Sequence, residues 1–237
     1  MITSKDFRLD FVRVVAFTPD QSAFVSGKAV ASILGKFQDV FDGEMQVLPI
    51  PNEVSGDVPR AILQNQDSTR LVTMSPTRVD AIWNLRQAEQ STLSVAEAVA
   101  GCAGIVAHYA SQMGLNVNRV ALLVQRFCAV ANPAQSLAAR FCNAESQKEP
   151  FNRSASFEIH NHKEYVMKRD GEQRINSWVR CKSGRTPDNS EPAILVEQDL
   201  NTLATASDAR FETSKLPEFF AHASAEAEEI LGKYFPG

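Results

Sequence analysis

The stretch Arg119-Val120-Ala121-Leu122-Leu123-Val124-Gln125-Arg126-Phe127-Cys128-Ala129-Val130 decides how this chain is read. It is a long apolar run rich in β-forming residues. Asn132-Pro133 follows, an N-cap with proline at the first helical position, so a short helix to about Phe141 is predicted. Strand then helix is also how the chain opens. Leu9, Phe11, Val14, Val15 and Phe17 predict a strand over 8–17. A helix over roughly 26–41 comes next, with Ser26 as its cap and Gly43 as its stop. Its apolar stripe is Val30, Ile33, Leu34, Phe37, Val40 and Phe41.

Each of these strand–helix openings leads into antiparallel strands and then a long helix. In the first half, Met45 to Ile50 is a short strand ending at Pro51, and 59–84 reads as a meander. Its three runs are Arg60–Asn65, Leu71–Met74 and Val79–Trp83. Ser94 and Glu97 form a capping box for a helix to Met113, and Gly114 is its C-cap. Gly101, Ala103, Gly104 and Ala107 suit close approach of that helix to a sheet. In the second half, Asn143 to Arg153 lacks periodicity and reads as an exposed loop. Strands are predicted near 154–167, 173–182 and 193–201, with Gly184 to Asn189 as punctuation. A helix from about Ser214 to Phe235 closes the chain, with Phe219, Phe220, Ile230 and Leu231 in its buried stripe. The predicted class is α+β: antiparallel sheets with helices packed on one face. The shared order suggests two similar β-α-β(n)-α units, 1–117 and 118–237, tightly associated or fused into one domain. No residue-level repeat links the halves, so duplication and coincidence stay open.

The chain has 237 residues, 24 basic against 28 acidic, and 44% hydrophobic residues. That excludes a disordered chain and a dominant cationic field. Met1 to Asp10 contains no apolar leader, and Val95 to Ala107 is too short to cross a bilayer. A cytoplasmic protein with no membrane contact is expected. Cys102, Cys128, Cys142 and Cys181 are dispersed without zinc or redox spacing, so free thiols are expected.

Several local patterns look familiar together. They are the strand Phe11 to Phe17, the meander end Val79-Asp80-Ala81-Ile82-Trp83, and Asn118-Arg119-Val120-Ala121-Leu122. To these add Ile194-Leu195-Val196-Glu197-Gln198-Asp199-Leu200-Asn201-Thr202 and the closing Lys233-Tyr234-Phe235. With them the chain resembles, over most of its length, a sporadically distributed bacterial family of uncharacterised α+β proteins. The family's Gly-Leu-Arg-Tyr in the middle strand is absent; Leu122-Leu123-Val124-Gln125-Arg126-Phe127 stands there. The resemblance implies architecture and carries over no catalytic residue.

The chemistry-bearing residues lie in the second half. On a strand, period two puts Glu158, His160 and His162 on one face and Phe157 and Ile159 on the other. Two imidazoles and a carboxylate are metal ligands, yet the set is incomplete without a fourth. A solvated strand face is the preferred reading, and no metal or other cofactor is expected. Beyond it lies a basic run, Lys168, Arg169, Arg174, Arg180, Lys182 and Arg185, with Trp178 among it. From Gln147 to Ser190 nine basic residues face six acidic, and from Glu191 to Gly237 three face nine. A basic face with an aromatic suits an anion or a single nucleic-acid strand, but a solvated sheet face balanced by the acidic last helix is the preferred reading. No Gly-x-Ser-x-Gly, P-loop or dinucleotide fingerprint is present. The function expected is a non-enzymatic binding or protein-interaction module whose partner is another protein or a second copy. The alternatives are a metal-dependent hydrolase or nuclease using Glu158, His160, His162 and Asp170, and an anion- or nucleic-acid-binding protein. The binding candidates are Glu158, His160, His162, Lys168, Arg169, Arg174, Trp178 and Arg180.

Overall fold

The computed structural model describes residues 2–19, 24–51, 53–85, 93–167, 173–203 and 211–237. The first half comprises β1 (Arg8–Phe17), α1 (Ser26–Phe37), β2 (Met45–Val47), β3 (Ala61–Gln64), β4 (Arg70–Met74), β5 (Arg78–Asn84) and α2 (Val95–Met113). The second comprises β6 (Arg119–Ala129), α3 (Pro133–Phe141), α4 (Ala144–Lys148), β7 (Glu158–Met167), β8 (Gln173–Arg185), β9 (Pro192–Thr202) and α5 (Leu216–Tyr234).

The strands form one antiparallel sheet in the order β2-β3-β4-β5-β1-β6-β9-β8-β7. Within each half the opening strand lies beside the last strand of its meander, β1 beside β5 and β6 beside β9. The two opening strands then pair with each other, Val12 opposite Val124 and Val14 opposite Leu122. Where the sequence suggests a sheet in each half, the structure runs one sheet across the 117/118 boundary. The reason is physical: β1 and β6 would each leave an open row of backbone groups, and each satisfies the other's. A register shift between Leu9 and Phe11 bends β1 near its start.

Register sorts the sheet into two faces. One row across it reads Trp83, Val12, Val124, Gln198, Val179 and Asn161. Helices meet the sheet through this set. Gly101 of α2 lies against the Trp83 ring, where a Cβ would come within 3.0 Å. The backbone carbonyl of Ala227 accepts from Gln198 Nε2 at 2.8 Å, and Tyr234 Oη accepts from Asn161 Nδ2 at 2.6 Å. Arg126, on the same face, donates to Glu228 of α5 at 2.7 Å. The core lies here, with Val12, Val14, Leu122, Ile175, Ile194, Tyr109, Phe220 and Leu231 all buried.

Local signals explain the helix ends. The Ser94 hydroxyl accepts from the Glu97 amide at 3.2 Å, and the Glu97 carboxylate accepts from the Ser94 amide at 2.9 Å. Gly114 closes α2 at φ 64°, a left-handed position that suits glycine. Four local readings differ from the structure. Ser26 begins α1 inside the helix, with Val25 at the cap position. Gly43 lies six residues past the end of α1, and a Cβ there would stand 2.5 Å from the Asn65 carbonyl carbon. It is glycine for close approach, not as a stop. The stretch after Asn143 folds into the five-residue α4, its first turn held by Ser146 N–H donating to Asn143 Oδ1 at 2.8 Å. One turn is too short to show a period. Finally, β8 runs through Gly184, where a Cβ would meet Leu195 Cδ1 at 2.6 Å.

All four cysteines are free; Cys102, Cys128 and Cys181 are buried and Cys142 is half-buried. Burial pushes the Cys102 and Cys181 thiols up to about 12, so they stay protonated at neutral pH. Among the described residues no helix is long and apolar enough to cross a membrane.

Candidate binding face

The opposite face is built from the alternate residues. Its central row reads Leu71, Ile82, Arg13, Leu123, Asp199, Trp178 and His162, crossing β4, β5, β1, β6, β9, β8 and β7. Most of these side chains are half-buried, and Trp178 is 41% exposed.

Polar clusters interrupt the apolar residues. Toward the first half, the Asp80 side chain is 1% exposed and takes an ion pair from Arg13 at 2.8 Å and another from Arg78 at 3.0 Å. Thr73 Oγ1 donates to the same carboxylate at 3.2 Å. Near the centre, Arg119 lies over the Phe17 ring at 4.8 Å and donates to Asn201 Oδ1 at 3.2 Å. Asn201 in turn donates to Asp199 at 2.9 Å, and Asn176 donates to Asn201 at 3.2 Å. Burial raises the Asp199 carboxyl above the usual range, with the Asn201 donor and Arg119 working against it.

At the β7 edge the predicted residues meet. Glu158, His160 and His162 do share this face, directly opposite Lys182, Arg180 and Trp178. They do not converge on one point. Glu158 bonds both His160 and Arg180. His162 turns away, bonds Asn176 and stacks on Trp178 with ring centroids 4.1 Å apart and planes 7° from parallel. The stack is a direct cross-strand pair, the geometry in which aromatic neighbours on a sheet meet. A guanidinium thus occupies the position a cation would need beside Glu158. Among the described residues no group of three or more His, Cys, Asp or Glu could hold a metal ion. Arg174 sits on the same face opposite Val166, 3.9 Å from Glu164. Lys168, Arg169 and Asp170 lie outside the described residues.

The Arg180 hydrogen bond, then that of His160, holds the Glu158 carboxyl down to about 2. Its folded value lies below the ordinary 4.5, so the ionised form and its contacts persist through mild acid and fade only as pH falls toward 2. Carboxyl-carbon NMR is expected to show Glu158 titrating near 2, and Arg180→Ala is expected to move it back toward 4.5. An unshifted Glu158 in the parent protein would refute the Arg180 contact.

No family model matches the chain, and no curated protein does. Among solved structures, it is similar to the di-domain ARO/CYC StfQ from the steffimycin biosynthetic pathway, with a TM-score of 0.20 and 9% identity. That alignment covers 94% of this chain and 97% of the other. A likeness of that size carries no argument about either fold or function.

Sequence reasoning reached the β7 and β8 residues of this face and missed Arg13, Asp80, Arg119, Asp199 and Asn201. A signal was present for the last two. Glu197, Asp199 and Asn201 recur at every second position along β9, between Val196, Gln198 and Leu200, the period of residues sharing one strand face.

Proposed function

We propose that this chain is a non-enzymatic binding protein that holds another protein against the sheet face carrying Trp178. The observation that supports it is the state of the arginines. Arg13 and Arg78 are paired with Asp80, Arg180 with Glu158, and Arg119 is held by Asn201, which leaves Arg174, 69% exposed and 3.9 Å from Glu164, as the loosely held guanidinium of the face. A phosphate backbone is bound through cations that shed counterions, which these pairs do not offer. What remains is a mixed surface of half-buried apolar residues, balanced charge and one exposed tryptophan. That is the composition of a protein interface, where a tryptophan anchor is commonly a hot spot.

The test compares the parent chain with a His162→Ala plus Trp178→Ala variant, both exposed side chains whose loss spares the core. Immobilised parent chain should retain a defined protein from extracts of its own source, and the variant should hold it at least tenfold more weakly. Sedimentation of the purified chain reads whether the partner is a second copy. Titration with single-stranded DNA and RNA at low salt should show no binding that Arg174→Glu plus Arg180→Glu weakens. Salt-sensitive binding abolished by that double variant would overturn the protein-partner reading.

A further inference from the structure

We propose that the cavity between α5 and the helix-side face of β7 and β8 binds a small organic carboxylate with an apolar body. The cavity has a volume of about 310 Å³, the low end of the range for small-molecule sites. Val179 and Ile230 give it an apolar floor. Its polar groups are sorted by position along α5. At one end Tyr165 Oη donates to Glu226 Oε1 at 3.1 Å, so this carboxylate already has a donor. Glu226 precedes Tyr234 by eight residues, which separates the two by about 12 Å along the helix.

The Tyr234 end is different, because its donors are unspent. Tyr234 Oη accepts from Asn161 Nδ2, and nothing among the described residues takes the hydroxyl's own proton. Burial raises the Tyr234 phenol, which keeps that proton in place at ordinary pH. Lys163 stands midway between Asn161 and Tyr165 on the same strand face, lines the same cavity, and has no carboxylate partner among the described residues. By contrast Lys233, at the rim, is paired with Glu229 at 2.7 Å. A hydroxyl and an ammonium, both without acceptors, match a carboxylate head. The Glu226 charge at the far end repels that head and fixes the ligand's direction.

The probe is 3-phenylpropionate, titrated into the full chain and followed by amide NMR or calorimetry. Saturable binding is expected, with 3-phenylpropanamide at least tenfold weaker because it lacks the charge. Tyr234→Phe keeps the ring that packs on Phe141 with centroids 6.0 Å apart, and Lys163→Ala removes an exposed side chain, so neither variant disturbs the fold. Each is expected to weaken the acid at least fivefold at an unchanged melting temperature. Trp178→Ala, on the opposite face, should leave it unaltered, which separates this site from the protein-binding face. Absence of binding, equal binding of acid and amide, or wild-type affinity in both cavity variants would overturn the assignment.

Discussion

Replacing Phe220 with alanine is expected to destabilise the fold by about 3–5 kcal/mol, the range for removing a large aromatic from a packed core. Phe220 is 0% exposed and lies edge-on to Phe219 at 5.3 Å between ring centroids. It belongs to the stripe by which α5 sits on the sheet and on α2, so the cavity left behind has rigid walls. The Arg126–Glu228 and Gln198–Ala227 contacts tie the C-terminal half of the helix to the sheet. Denaturant unfolding should show a lowered midpoint with an unchanged slope, because the same surface is exposed on unfolding. A loss under about 1 kcal/mol would mean that α5 is not seated as described.

The second large effect is expected at Asp80. Its carboxylate is 1% exposed and faces two guanidiniums that are 29% and 26% exposed. Asp80→Ala leaves Arg13 and Arg78 facing each other with no anion between them. Losing one partner of a fully buried pair costs roughly 3–5 kcal/mol. Here water reaches the arginines and relieves part of the repulsion, so about 2–4 kcal/mol is expected. Asp80→Asn keeps the oxygen that accepts from Thr73 and should cost less. If Asp80→Ala unfolds at the parent's denaturant midpoint, the cluster contributes nothing to stability and the argument for its burial fails.

How much of this was legible in the sequence depended on how local each signal is. The strand over 8–17 and the helix from Pro133 to Phe141 were readable to the residue, because β-forming runs and an Asn-Pro cap act within a few positions. The capping box at Ser94 likewise located α2. What was not legible is the pairing of β1 with β6. It joins residues more than a hundred positions apart, and neither strand carries a mark that names its neighbour. Gly184 misled for a related reason: its lack of a side chain makes room for Leu195 on another strand, which a single-strand reading takes for a break. The site divides the same way. Period two placed Glu158, His160 and His162 on one face. Their partners Arg180, Asn176 and Trp178 follow from the β7–β8 and β8–β9 registers, and a one-residue slip would have faced them the other way.

The pairing of β1 with β6 has a consequence for how the protein is made. A ribosome completes β1 and the four strands that follow it long before β6 leaves the exit tunnel. Until then β1 presents a row of up to ten residues of unsatisfied backbone to the cell, an invitation to strand exchange with a sister chain. Closing the sheet waits on a loop of roughly a hundred residues, a slow step by the general dependence of folding rate on contact separation. A nascent chain stalled anywhere before Arg119 is therefore the aggregation-prone form of this molecule, and chaperone demand should peak during synthesis of that first half.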